Sequence, residues 1–219
     1  VRRFAALLAL VVTTLAALPA TPLPAQRPPR LEITVAVASA LSEGPAIVSD
    51  GLLSDPKTRE HLRNGFPARI HYTLELWRKG GVLVGDDRSG IAEWDVLVNY
   101  DPTAKRYNMI RRSSDDQVRE NFGGFATTTS AELELAKPFK TSLHPTRSGR
   151  YYYNLTVEVQ TLAESDLDAT LQWLRGPTAP GRTNNPLTVV TSGLGTLFSR
   201  VLGGGKTRYE QPSEVFRVP

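Results

Sequence analysis

Three stretches of this 219-residue chain place apolar side chains at every second position, and that period admits one kind of secondary structure. Ile70, Tyr72, Leu74 and Leu76 alternate with Arg69, His71, Thr73, Glu75 and Trp77. Trp94, Val96, Val98 and Tyr100 alternate with Glu93, Asp95, Leu97 and Asn99, and Tyr153, Leu155, Val157 and Val159 repeat the pattern within Tyr151 to Leu162. Successive side chains of a strand point to opposite faces, so each stretch predicts a ribbon with one apolar and one polar side. The apolar set is aromatic and β-branched, as pleated sheets prefer. Such ribbons must bury their apolar sides under a second layer.

The remaining segments predict how that layer is made. Leu31, Ile33, Val35 and Val37 alternate as a further strand, with Ala46 to Ser49 as its partner. Ser54 or Asp55 as cap and Pro56 in the first turn predict a short polar surface helix over Lys57 to Asn64, ended by Gly65. Gly80-Gly81 is a turn, Val82 to Val84 extend a strand, and Gly85 to Gly90 form a loop. Asp101-Pro102 opens a hairpin whose return strand is Lys105 to Arg112. Asp115 to Phe122 read as a short helical or irregular excursion closed by Gly123-Gly124, and Ala131 to Ala136 as another strand.

Beyond the third ribbon, Glu164-Ser165-Asp166 predict the cap of a helix through Trp173, with Leu167, Leu171 and Leu174 on one side. After a Pro- and Gly-rich loop, Val190, Leu194, Leu197, Phe198 and Val201 form the stripe of an amphipathic helix, weakened by Gly193 and Gly195 and stopped by Gly203 to Gly205. Tyr209 to Val218 return as an edge strand. Helices inserted among hairpin-linked strands argue against a parallel βαβ sheet. The expected fold is mainly β: one antiparallel β-sandwich-like domain over 31–219, with short inserted helices and an amphipathic helix within 186–205.

The N-terminal end reads as an export signal: Arg2-Arg3, an apolar run from Phe4 to Leu18, and small-residue stops at Ala20 and Ala25. That run is shorter than the roughly 20 residues that cross a bilayer core. Cleavage is expected after Ala25, with Ala20 as second choice and a retained N-terminal anchor as the alternative. Gln26 to Arg30 then form an extended Pro-rich leader. With no cysteine in the chain, neither a disulfide nor a thiol-linked lipid is available, and the domain must be held by its core. Without Arg2 and Arg3 the formal charge of +4 falls by two, and no basic stripe marks a nucleic-acid surface.

No catalytic or cofactor motif stands out. Gly176 to Thr183 have phosphate-loop spacing with Arg182 in the lysine position, but two prolines remove donors and the stretch follows a predicted helix, so no nucleotide site is expected. His61, His71 and His144 are too scattered for a metal site and are expected to be solvated. The acidic pairs at Asp86 and Asp115 lack a calcium-loop pattern, and no Gly-x-Ser-x-Gly elbow occurs. Asn154-Leu155-Thr156 has glycosylation spacing inside a strand, where the structural role prevails. Trp77 lies on a polar face beside Arg69, His71 and Glu75, where an indole can stack on a sugar or anchor a protein. The simpler expectation is that the Leu167 to Leu174 helix covers it.

Gly65-Phe66-Pro67-Ala68-Arg69-Ile70, Glu75-Leu76-Trp77-Arg78, Glu93-Trp94, Val98-Asn99-Tyr100-Asp101 and Arg106-Tyr107 together resemble a family of exported bacterial proteins, domain of unknown function 4390 (DUF4390). The likeness runs from about Leu31 to Leu174, and the segment after Pro186 departs from it. It implies a bacterial envelope or secreted location and supplies no catalytic residue. The expectation is therefore a periplasmic or secreted non-enzymatic binding module, with no cofactor and no metal. Its partner is a protein or a membrane surface met by a sheet edge or by the Val190, Leu194, Leu197, Phe198 and Val201 stripe. The alternative is a glycan-binding or hydrolytic protein with a groove near Trp77 and Asp86.

Overall fold

The computed structural model describes residues 28–81, 85–113, 119–162 and 206–219. These residues are mainly β, in two antiparallel sheets. The smaller sheet has the order β1 (Arg30–Thr34), β2 (Ala46–Asp50), β7 (Phe139–Lys140). In the larger, β8 (Gly149–Thr161), β3 (Ala68–Arg78), β4 (Asp87–Asp101), β5 (Arg106–Ser113) and β6 (Arg119–Phe125) follow one another. Two short strands, β9 (Lys206–Pro212) and β10 (Phe216–Val218), share the far side of β8.

The three alternating stretches are β3, β4 and β8, and the central strand pairs along its whole length with both neighbours. Ala68, Ile70, Tyr72, Leu74 and Leu76 form its buried inner row, flanked by Trp94, Val96 and Val98 on β4 and Tyr153, Leu155, Val157 and Val159 on β8. Against this face pack the small sheet, the loop after β2 and two helices, α1 (Pro56–Arg63) and α2 (Thr128–Leu135), through Ile47, Leu52, Leu53, Leu62, Ala131 and Leu135. The arrangement is sandwich-like: one face of the large sheet makes the core, and the other carries mostly polar side chains, with Leu97 buried on it.

Local chemistry accounts for most of the boundaries. Asp55 caps α1 by accepting the Thr58 N–H at 2.9 Å, with Pro56 at the first position. In the β4–β5 hairpin the Asp101 carboxylate accepts the N–H groups of Thr103 and Ala104 at 2.8 and 3.0 Å, a side-chain-closed turn.

Three expectations are corrected. Ala131 to Ala136 are not a strand but most of α2, because Thr127 and Ser130 form a reciprocal capping box. Ala131, Glu132 and Leu135 then face inward, while Leu133 is 65% exposed. Asp115 to Phe122 are not a helical excursion where the chain is described: Arg119–Phe125 is β6, and Gly123, at φ +83°, sits where its register against β5 shifts. The Gly85 to Gly90 loop is shorter than expected, since β4 starts at Asp87. Val82 to Val84, the Leu167 to Leu174 helix and the helix expected within 186–205 lie outside the described residues.

Among the described residues Glu132 is a buried charged side chain, and Arg111 is largely covered. Glu132 accepts the N–H groups of Leu52 and Leu53 at 2.9 and 2.6 Å, tying α2 to the loop after β2. Burial pushes its carboxyl above the ordinary carboxylate value, against the pull of those N–H groups. Arg111 points from β5 between Phe139 and Phe122, 3.8 and 4.7 Å from the ring centres, and its Nη1 donates to Glu120 at 2.9 Å. Beside it the Tyr72 hydroxyl, stacked on Trp94, meets the Ser49 hydroxyl at 2.8 Å.

Candidate functional site

The outer row of β3 gathers the chemistry. Arg69, His71, Thr73, Glu75 and Trp77 share this face because they alternate with the buried inner row, and all are half-buried. Register brings Asp95 of β4 directly opposite His71. Asp95 accepts two bonds from Arg69, at 2.8 and 2.9 Å, and one from the His71 Nδ1–H at 2.8 Å. An ionised carboxylate only accepts, so a neutral His71 carries its proton on Nδ1 and turns the Nε2 lone pair to the Thr73 hydroxyl at 3.2 Å. Burial alone would raise the Asp95 carboxyl; the His71 bond and the Arg69 charge outweigh it and hold the group below its ordinary value.

Asp95, His71 and Thr73 thus follow the order of orienting group, base and hydroxyl used in nucleophilic catalysis. The surroundings do not complete that machinery. Both ladders of β3 commit its backbone N–H groups, so none converges beside Thr73 to receive an oxyanion. Arg69 also neutralises the carboxylate that would support an imidazolium.

At the other end of the same row stands Trp77. Its indole N–H donates to Glu75 at 3.2 Å, and Glu75 in turn accepts from Arg88 at 2.9 Å. Directly across on β8 is Tyr152, whose ring lies within 10° of parallel to the indole at a centre distance of 6.5 Å. The Lys79 ammonium is 5.5 Å from the Tyr152 ring centre. Asp86 closes the turn, accepting from Gly80 N–H at 3.1 Å, Lys79 at 3.3 Å and the Tyr152 hydroxyl. The Gly80 bond chiefly, with Lys79 and Tyr152, holds the Asp86 carboxyl below its ordinary value. Burial, aided by that carboxylate, raises the Tyr152 hydroxyl.

Trp77 and Asp86 are thus bridged by Tyr152, whose ring lies near-parallel to the indole and whose hydroxyl donates to the carboxylate. The run Tyr151-Tyr152-Tyr153 hides this in sequence: its outer two rings are buried, and only parity with Tyr153 turns Tyr152 outward. Trp77 is half-buried by its sheet neighbours, and the helix expected to cover it is outside the described residues, as are Val190, Leu194, Leu197, Phe198 and Val201. His71 is not simply solvated but held by Asp95. His61 packs edge-on to Phe66, and His144 contacts the Pro145 carbonyl oxygen at 3.1 Å. Among the described residues no cluster of histidine and carboxylate side chains has the composition to hold a metal ion. Compared with protein-family models, curated proteins and solved structures, the chain matches none.

Proposed function

We propose that this chain is an exported bacterial envelope protein and acts as a non-enzymatic binding module whose ligand is met on the outer sheet face around Trp77. The observation that carries the reading is the Trp77–Tyr152 pair. Two large amphipathic rings are held near-parallel on neighbouring strands by Glu75 and Asp86, on the face that does not form the core. A rigid sheet positions such anchors at little entropic cost on binding. The committed backbone around Thr73 favours binding over hydrolysis. The N-terminal stretch that reads as an export signal and the resemblance in Gly65 to Tyr107 support the envelope location.

Co-sedimentation of the purified chain with isolated bacterial envelopes tests this. Trp77→Ala is expected to weaken binding by about tenfold, in line with an aromatic anchor of 1–2 kcal/mol, while Thr73→Val leaves it unchanged. Equal sedimentation of Trp77→Ala and wild type would refute the reading. So would an esterase or glycosidase activity that His71→Gln abolishes.

A further inference from the structure

The rows next to Trp77 carry a charge arrangement that the fold does not need. Arg150 of β8 lies directly opposite Arg217 of β10. On the other side of Arg150, the Lys79 N–H donates to the Arg150 carbonyl at 2.8 Å, continuing the pairing of Arg78 with Tyr151. Lys79, Arg150 and Arg217 are therefore one row of cations across neighbouring strands, which lie about 4.8 Å apart. Two residues from Trp77 and Tyr152 along their strands, Lys79 and Arg150 share the outer face with them, and all three cations are exposed. Arg88, opposite Trp77, adds a fourth.

Like charges facing each other across a ladder are unfavourable, and proteins usually relieve them with a carboxylate. Here Asp86 pairs with Lys79 and Glu75 with Arg88. Among the described residues Arg150 and Arg217 have no ion-pair partner. Two guanidinium forks side by side match a carboxylate or phosphate group. The adjacent indole and phenol rings offer apolar faces to the C–H side of a sugar ring.

Building on the binding-module reading, we propose that this end of the sheet is a subsite for an acidic saccharide. The Trp77–Tyr152 pair takes the sugar ring, and Arg150 with Arg217 takes its carboxylate or phosphate.

Titration of the full chain with polygalacturonate, its neutral methyl ester, a phosphorylated mannan and inorganic polyphosphate separates the contributions. An acidic polysaccharide is expected to bind at least tenfold more tightly than the methyl ester; which of the two acidic polymers binds better identifies the anion. The double variant Arg150→Ser with Arg217→Ser and the single variant Trp77→Ala should each lose at least tenfold toward it. Polyphosphate should respond to the arginines alone. If Trp77→Ala proves unstable by thermal melting, Tyr152→Leu tests the same ring surface. Equal affinity for the methyl ester, or insensitivity to both ring variants, would overturn the proposal. Absence of acidic-glycan binding would also overturn it, and if Trp77-dependent envelope sedimentation persisted, the broader reading would stand without it.

Discussion

Glu132 is the residue on which the loop after β2 depends. Replacing it with alanine leaves the Leu52 and Leu53 N–H groups without their acceptor in the core. Glu132→Ala should therefore cost about 2–3 kcal/mol in urea denaturation, and Glu132→Gln, which keeps one acceptor oxygen, clearly less. An equal loss for both variants would contradict this account. The Glu132 and Asp95 carboxyls respond oppositely to pH. Glu132 has a raised folded-state pKa, so its contribution is most favourable below the unfolded value and declines as pH rises through the folded one. Asp95 has a depressed pKa, so its contribution is present above the unfolded value of about 4 and is lost as pH falls through the folded one. Asp95→Asn should flatten the acid limb of stability against pH below about 4; an unchanged slope would show that the Arg69 and His71 bonds do not stabilise the carboxylate. His71 and Asp95 are each legible in sequence as polar-face residues. Their pairing is not, because it depends on the register between two strands, which sets residues 24 positions apart opposite each other.

At the scale of elements, the period-two signal is strong enough to place β3, β4 and β8 and the buried rows of β3 and β8, while on β4 Leu97, on the polar row of the pattern, is buried as well. It misled at Ala131 to Leu135. There Ala131, Leu133 and Leu135 alternate with Glu132 and Glu134, yet alanine, leucine and glutamate are strong helix formers and Thr127 supplies a cap. The two readings make different predictions. In a strand Leu133 and Leu135 would share a face, whereas in α2 Leu133 is exposed and Leu135 is buried. Leu135→Ala should cost about 2–4 kcal/mol and Leu133→Ala less than about 0.5; similar losses at both would restore the strand. Gly123 marks the second difficulty. Glycines in sequence suggest the end of an element, but here Gly123 uses its positive φ to carry β6 through an irregularity. Gly123→Ala, with open space for its Cβ, should still lose about 1–2 kcal/mol through backbone strain.

For the whole molecule, the division of labour between the two faces of the large sheet is the organising fact. The inner face was legible from composition and period alone, since a long apolar row leaves few alternatives. The candidate site was legible only in part: Trp77 and Asp86 stand out along the chain, while Tyr152, Arg150 and Arg217 join them through strand pairing from distant segments. The most direct measurement is an amide chemical-shift map of the isotope-labelled chain during titration with an acidic oligosaccharide from the envelope. The account predicts shifts concentrated at Trp77, Lys79, Arg88, Arg150, Tyr152 and Arg217, with α2 and β6 unmoved. Shifts centred on β6 or around Arg111, with the Trp77 end silent, would contradict it.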